Sequence, residues 1–377
     1  MRGNDSQAAL DFLRAPRHYP GAPRRVQRIE THFAWVFLAG RRVYKLKKPL
    51  RQGRMDYRTL ARRARGCRAE LRLNRRLAPA VYLRVAPLTV DRRGRIGLGG
   101  RGRVFDWLVV MRRLPAARML DRAVAQRRVS AADEARVIAA LSAFFMRARP
   151  VGASGAGHRR RLRQQALGDA RAIVAVDPGF RPLTQRVLAQ QRRCLALLAP
   201  ALSARAAYVI EGHGDLRPEH VNLGPPVNVI DALEFDRRLR LRDPAEELGY
   251  LQLELARLGH ARLGARLCAG VLARLGEPPP GAVLRLYMSL QALARAKLAA
   301  WHVGDPQFPR SARWLARARS YLRAALGNAE AARRAVARSA RRGRPAAQQR
   351  HQRLAAAHAP QRLAVQRGDR KHGRART

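Results

Sequence analysis

The stretch Glu211-Gly212-His213-Gly214-Asp215-Leu216-Arg217 is followed, sixteen residues after Asp215, by Asp231 in the run Val229-Ile230-Asp231-Ala232-Leu233-Glu234-Phe235. Two carboxylates therefore fall on turns between short apolar segments. One carboxylate in a fixed loop can accept or orient the proton of a hydroxyl, and another can hold a hard divalent cation through oxygen. Phosphoryl transfer needs both, because it is catalysed by positioning and charge neutralisation. The same chemistry needs cations for the phosphates. Three of the five lysines, Lys45, Lys47 and Lys48, cluster in Val43-Tyr44-Lys45-Leu46-Lys47-Lys48-Pro49, while the rest of the chain writes its positive charge almost wholly as arginine. An ammonium group is not interchangeable with arginine's planar fork, so the cluster marks a site.

The elements that must position these residues are legible from periodicity. Thr31 to Pro49 reads as a hairpin, with the aromatic and β-branched run Phe33 to Leu38, a turn at Ala39-Gly40, and alternation from Val43 to Leu46. Alternation puts Lys45 and Lys47 on one side of the second strand. Within Asp56 to Leu77, the positions Leu60, Ala64, Cys67 and Leu71 share one helical face, and Pro79 stops the helix. Strands follow at Val81 to Leu88, Arg95 to Leu98 and Val104 to Met111. After Pro115 the pattern turns helical, with a capping box at Ser130 and Asp133. A Gly/Ser/Ala hinge is expected over Val151 to Gly157. Helices are expected from about Thr184 to Leu198, from Pro244 to Leu275, from Ala282 to Val303 and from Pro309 to Leu326. Asp243 reads as an N-cap with Pro244 in the first helical position.

The 377 residues carry 77 Lys and Arg against 26 Asp and Glu, a formal charge of +51. Such a field attracts polyanions. The excess is spread along the chain and is nearly all arginine, the mark of codon bias, and no interleaved aromatic motif for stacking bases accompanies it. Beyond Gly327 the apolar pattern weakens. Residues 331–377 hold fourteen Lys and Arg and one acid, Asp369. That tail is expected to be disordered and is the one segment through which nucleic acid would bind. Cys67, Cys194 and Cys268 are too far apart for a short metal motif and odd in number, so they read as core thiols in a reducing compartment. No run of 18 apolar residues occurs, and a soluble, cytoplasmic protein without a membrane span is expected.

The Glu211–Arg217 stretch with Val229-Ile230-Asp231 resembles the catalytic signature of the aminoglycoside phosphotransferase-like branch of the protein-kinase-like superfamily. Glu30-Thr31-His32, Val43–Pro49, Ala69-Glu70-Leu71-Arg72-Leu73-Asn74 and Val110-Met111-Arg112-Arg113-Leu114-Pro115 are similar to a bacterial subgroup of that branch, and the likeness runs from about residue 25 to 326. Some members of the subgroup carry an added P-loop domain; this sequence has no Gly-x4-Gly-Lys-Ser/Thr pattern.

The resemblance implies an α+β, protein-kinase-like two-lobed fold. Its parts would be an N-terminal extension (1–24), an antiparallel β lobe with one helix that binds the nucleotide (25–115), a larger helical catalytic lobe (116–326) and the basic tail (327–377). It implies ATP and Mg²⁺ as cofactors and a small-molecule hydroxyl as acceptor. Asp215 would be the base and Arg217 a charge clamp on the transferred group. Lys45, or Lys47 beside it, would meet the phosphates with Glu70 as partner, and Met111 to Leu114 would be the hinge that takes the adenine edge. The nucleotide-covering loop is expected at Leu38 to Arg42, and Gly97 to Gly102 is a strand connection.

Asp231 stands where the family's Mg²⁺ ligand stands. A second metal ligand, normally asparagine five residues after the base, is here His220; Asn222 or Glu219 are the alternatives. Nitrogen suits a hard cation poorly, so a nucleotide-binding or regulatory protein with weak or no transfer is the alternative function. A cationic acceptor would need a local acidic pocket, for which Glu211, Glu234 and Asp236 are the candidates.

Overall fold

The computed structural model describes residues 3–276, 278–303 and 312–357. Its amino-terminal lobe is a six-stranded antiparallel sheet. β1 (Val26–Glu30) pairs with β2 (Ala34–Ala39), and β2 pairs with β3 (Arg42–Lys47). The expected hairpin is therefore present, closed by Gly40 at φ +58, and β1 is a strand that the periodicity did not announce. A two-residue turn between twisted strands demands such an angle, and glycine adopts it without a Cβ penalty. A small hairpin of β4 (Arg51–Gln52) and β5 (Met55–Asp56) leads into α2 (Leu60–Asn74), whose N-cap Thr59 accepts from the backbone of Arg62. β6 (Tyr82–Val90), β7 (Ile96–Leu98) and β8 (Arg103–Arg112) complete the sheet in the order β1-β2-β3-β8-β6-β7. Gly99 to Gly102 connects β7 to β8, while Gly97 and Leu98 of the expected connection belong to β7.

Alternation gives the sheet two apolar faces, and each is covered. α2 packs Cys67 against Val81 and Val109 on one face. On the other, α1 (Gly3–Arg14) buries Ala9, Leu10 and Leu13 against Phe37, Tyr44 and Leu108. Residues 3–14 are thus part of the β lobe rather than an extension outside it. Leaving that face open would expose a strip of large side chains, at roughly 1.5–3 kcal/mol each.

The carboxy-terminal lobe is helical: α3 (Leu120–Ala125), α4 (Ala131–Arg147), α5 (Gly155–Val176), α6 (Arg181–Leu197), α7 (Ala199–Ala204), α8 (Pro244–Arg257), α9 (Ala261–Arg274), α10 (Gly281–Trp301) and α11 (Ala312–Ala357). Four two-residue strands interrupt it, β9 (Ile210–Glu211) with β12 (Leu241–Arg242) and β10 (Val221–Asn222) with β11 (Asn228–Val229). The capping box at Ser130 and Asp133 opens α4, and Asp243 caps α8 with Pro244 at its first position. All three cysteines are buried and free.

Three expectations are corrected. The helix read from Pro244 to Leu275 is two helices, because Gly259 at φ +86 turns the chain between α8 and α9. The hinge read over Val151 to Gly157 is shorter, since Ser154 already caps α5 and Val151 donates to the carbonyl of Val209. The disorder expected from residue 327 does not begin there. α11 runs on through Ala357, and Ala318, Tyr321, Leu322, Ala325, Ala329 and Ala332 keep a helical stripe in the core. Alanines can seal a close helix contact without large side chains, so a scarcity of Leu and Ile was the wrong signal. Residues 358–377 of the expected tail lie outside the described residues. Among the described residues no helix is long and apolar enough to cross a membrane.

Candidate active site

β3 and α2 place their charges on the cleft by two different periods. Period two on β3 sends Lys45 and Lys47 the same way, and both meet Glu70, which is completely buried on α2. Lys45 Nζ donates to Glu70 Oε1 at 2.9 Å and to Asp231 Oδ1 at 2.7 Å. Lys47 Nζ donates to Glu70 Oε2 at 2.6 Å and also to Glu234, whose carboxylate is shared with the Tyr57 hydroxyl. Lys47 is shut in at 2% exposure under the Tyr57 ring, whereas Lys45 is 18% exposed and opens on the cleft. Burial would strip both ammonium groups of charge, but Asp231 and Glu70 for Lys45, and Glu234 and Glu70 for Lys47, raise them well above the ordinary lysine value. Both remain charged.

Asp231 sits in the left-handed region at φ +65, a strained angle for a residue with a Cβ. Two residues that sequence reasoning did not assign hold it there. The Tyr82 hydroxyl accepts from Asp231 N at 3.1 Å, and Asn74 Oδ1 accepts from Ala232 N at 2.8 Å. Asn74 lies one turn after Glu70 on the same face of α2, and that i,i+4 spacing was its available signal. Burial pushes the Asp231 carboxyl up, yet Lys45 and then His220 hold it far below the usual carboxylate range. Its side chain is still 46% exposed toward the cleft, so solvent screens part of that effect.

The loop bearing Asp215 is anchored from beneath. Glu247 on α8 accepts from the backbone N–H groups of His213 (3.0 Å) and Gly214. A Cβ on Gly212 would stand 2.6 Å from Glu247 Oε1, so only glycine lets the strand pass over that carboxylate. His213 Nδ1 accepts from Asp215 N, which leaves Nε2 protonated to donate to the carbonyl of Ile230 at 3.0 Å. This ring ties the two aspartate segments together and braces the loop. Burial, with His220 next, pushes its pKa down to about 3, so it is neutral. From α2's carboxy-terminal side, Arg76 donates to the carbonyls of Glu211 and Gly212, both at 2.7 Å, and joins the two lobes.

Both oxygens of Asp215 are occupied. Tyr250 Oη donates to Oδ1 at 3.0 Å and Arg217 Nε to Oδ2 at 3.1 Å. Burial raises this carboxyl, but Arg217, His220 and Arg295 together bring it below the ordinary value. Arg217 is itself pinned, because it also donates to Glu219 (2.6 Å) and His220 Nε2 (3.1 Å). A clamp free to follow a phosphoryl group would need open N–H groups; here the fork is engaged on three partners. Tyr250 and Arg295 left no signal in the sequence, since they come from α8 and α10, far along the chain.

His220 lies between the two aspartates, 3.7 Å from Asp215 Oδ2 and 3.7 Å from Asp231 Oδ2. Its Nδ1 donates to the Asp215 carbonyl at 2.8 Å while Nε2 accepts from Arg217. Neither nitrogen has a lone pair left for a metal. Asn222 is 1% exposed and turned away: its Oδ1 accepts from Gly224 N, and its Nδ2 faces the Pro115 carbonyl and Met119 Sδ. The sequence expectation for Asn222 as a ligand therefore finds no support in its placement. Among the described residues no three His, Cys, Asp or Glu side chains converge as a metal cage.

Met111 and Leu114, the expected hinge residues, lie at the end of β8 and just beyond it. They share an apolar cluster with Val43 from β3 and Ile230 from the segment preceding Asp231. The Leu38 to Arg42 turn does not cover this site over Lys45. The register pairs Arg42 with Arg112, and Arg113 N donates to the Arg41 carbonyl, so that turn lies beside Arg112 and Arg113 at the end of β8. At the other end of the strands the turn from Thr31 to Phe33 approaches the carboxy-terminal lobe, with the Phe33 and Phe235 rings 6.5 Å apart. The acidic pocket expected from Glu211, Glu234 and Asp236 is also absent as a free surface. Arg237 and Arg240 take Glu211, Lys47 takes Glu234, and Arg54 lies 3.5 Å from Asp236.

A β lobe with a lysine–glutamate pair, a hinge, and two aspartates on the facing helical lobe define the protein-kinase-like fold. Among known proteins, the chain is 30% identical over 290 residues to an uncharacterised protein of Mycobacterium bovis, covering 71% of this chain and 53% of that one. It spans about half the length of the curated relatives it matches. Similar solved structures include a choline/ethanolamine kinase family protein from Mesorhizobium loti (TM-score 0.49, 15% identity, 88% of this chain and 98% of that one). An aminoglycoside phosphotransferase from Alicyclobacillus acidocaldarius gives a TM-score of 0.42 at 16% identity, over 85% of this chain and 95% of that one. No family model matches the sequence.

Proposed function

We propose that this protein is an aminoglycoside phosphotransferase-like small-molecule kinase that transfers the γ-phosphate of ATP to a hydroxyl. The observation that carries the reading is Lys45 bridging Glu70 and Asp231 across the lobes, opposite an Asp215 whose two oxygens are fixed by Tyr250 and Arg217. Adenine would rest on Val43, Met111, Leu114 and Ile230, with its edge at the hinge backbone. Lys45, held by Glu70, would meet the nucleotide phosphates, while Lys47 keeps Glu70 in place from behind.

Asp215 would orient the acceptor hydroxyl and take its proton. Its lowered pKa leaves it ionised at neutral pH, as a proton acceptor must be. Arg217 holds that carboxylate in position and supplies positive charge beside it, a refinement of the clamp role. The donor set fits a divalent ion at one residue only. Asp231 would hold Mg²⁺ together with phosphate oxygens and water, and the bound ion would neutralise phosphate charge. His220 fits as the spacer between the aspartates and not as a ligand.

The reading is tested by measuring Mg²⁺-dependent nucleotide binding and γ-phosphate loss in wild type and in Asp215→Asn and Lys45→Met. Turnover that is unaffected by Asp215→Asn would sink it. The second reading, nucleotide binding with weak or no transfer, is favoured by His220 standing where an oxygen ligand would stand. Mg²⁺-dependent turnover removes that alternative.

A further inference from the structure

Asp231, the one residue whose oxygens suit Mg²⁺, shares its carboxylate with the protein's own cations. Lys45 Nζ donates to Oδ1 at 2.7 Å. The His220 ring stands 3.7 Å from Oδ2, and Arg217 donates to the far side of that ring's charge system at Nε2, 3.1 Å away. The carboxylate is still within reach of solutes, because the Asp231 side chain is 46% exposed.

Lys45 divides its ammonium between two carboxylates that differ in freedom. Glu70 Oε1, at 2.9 Å, belongs to a completely buried side chain on α2 whose other oxygen is taken by Lys47 at 2.6 Å. Parting Lys45 from Glu70 would weaken the pairing of a buried charge, which is costly. Parting it from Asp231 releases a carboxylate that water or a cation can satisfy. Of the two ion pairs, the one to Asp231 is therefore the one that opens.

A divalent ion and this ammonium are rivals for Asp231. Mg²⁺ needs close oxygen ligands and gives up its water reluctantly, so a lone carboxylate already neutralised by a lysine is a poor site for it. Two cations on one carboxylate also repel, and in a partly desolvated cleft that repulsion is only partly screened. Phosphate oxygens reverse the balance. They offer Lys45 a second partner that leaves its bond to Glu70 intact, and they bring the oxygen ligands that a single aspartate lacks.

We propose that Lys45 gates the metal site. Without nucleotide, its ion pair with Asp231 keeps divalent cations off that carboxylate; nucleotide phosphates draw Lys45 away and admit the ion. The role of the nucleotide rests on the phosphotransfer reading above, whereas the exclusion rests on the Lys45–Asp231 pair alone. Metal and nucleotide then raise each other's affinity by the same factor, and they enter together.

The test is titration of the full chain with Mn²⁺, which takes the same oxygen ligands as Mg²⁺ and whose free ion is read by electron paramagnetic resonance, with no nucleotide present. Wild type should bind with a Kd of about 1 mM or weaker, and Lys45→Met about 10- to 100-fold more tightly. Adding Asp231→Asn to Lys45→Met should abolish the gain, which locates the ion, and Lys45→Arg, which keeps the charge, should bind as weakly as wild type. Equal affinity in wild type and Lys45→Met, a gain that survives Asp231→Asn, or tight binding by Lys45→Arg overturns the inference. If Lys45→Met does not fold, wild type against Asp231→Asn decides: an Asp231-dependent site tighter than about 1 mM overturns the gate, and a weaker one upholds it. Nucleotide binding and Asp215-dependent γ-phosphate loss, measured on the same wild-type preparation, separate the two readings, since a chain that fails both can still show the Lys45→Met gain.

Discussion

The Lys45 side of the cleft and the Asp215 side are built from the same charges in different proportions. On the first side Lys45 and Lys47 face Glu70, Asp231 and Glu234, two positive groups against three negative. On the second side Arg217, Arg257 and Arg295 stand against Asp215, Glu219 and Glu254, three against three. The first arrangement has one carboxylate in surplus, at the half-exposed Asp231, and suits a cation. The second is balanced, with Arg295 ion-paired to Glu254 at 3.5 Å and standing over the Tyr321 ring. Burial makes the difference matter, because charges of either sign are costly in a dry site unless something completes them.

The comparison breaks most visibly at Asp215, the proposed base. Asp215→Asn should lower turnover about 10²–10⁴-fold, the range for a positioned proton acceptor, while nucleotide affinity measured by calorimetry stays near wild type. The next largest effect separates the two lysines. Lys47→Met leaves Glu70 and Glu234 buried against one fewer cation and should destabilise the fold by about 3–5 kcal/mol in urea unfolding. Lys45→Met leaves Glu70 paired with Lys47 and Asp231 open to water. It should cost about 1 kcal/mol or less in stability and yet remove nucleotide turnover. Equal destabilisation by both variants would show that the two lysines do not divide their work in this way.

A smaller effect is expected where the loop bearing Asp215 crosses Glu247. Gly212→Ala forces a Cβ toward the carboxylate that accepts from His213 and Gly214, and should cost about 1–3 kcal/mol with a parallel loss of activity. The smallest is a pH slope. His213 has a folded pKa of about 3 against an ordinary 6.5, so between those values the unfolded chain binds a proton that the folded chain does not. Stability from this group is full above pH 6.5 and is lost as pH falls toward 3, at up to ~1.4 kcal/mol per pH unit. Unfolding midpoints measured from pH 6.5 to 4.5 should fall, and fall less steeply in His213→Gln. An identical slope in the variant would assign the loss to other groups, of which buried His158, also lowered by desolvation, is one.

The sequence by itself determined the local parts. Period two placed Lys45 and Lys47 on one side of a strand, period 3.6 gave the α2 face that includes Cys67, and capping chemistry opened α4 and α8, because these depend on neighbours within a few residues. The turn signals at Gly40 and around His213-Gly214 were legible for the same reason. Tertiary structure alone decided what crosses the chain. It divided the lysines into one facing the cleft and one sealed behind Glu70, and it turned Asn222 away while setting His220 between the aspartates. It also set the Leu38–Arg42 turn beside Arg112 and Arg113 and brought Tyr250 and Arg295 near Asp215 from helices far along the sequence. The helix through Ala329 and Ala332 belongs with these. Alanine's value there is the close approach of a partner helix, and an approach between distant segments has no periodicity to announce it.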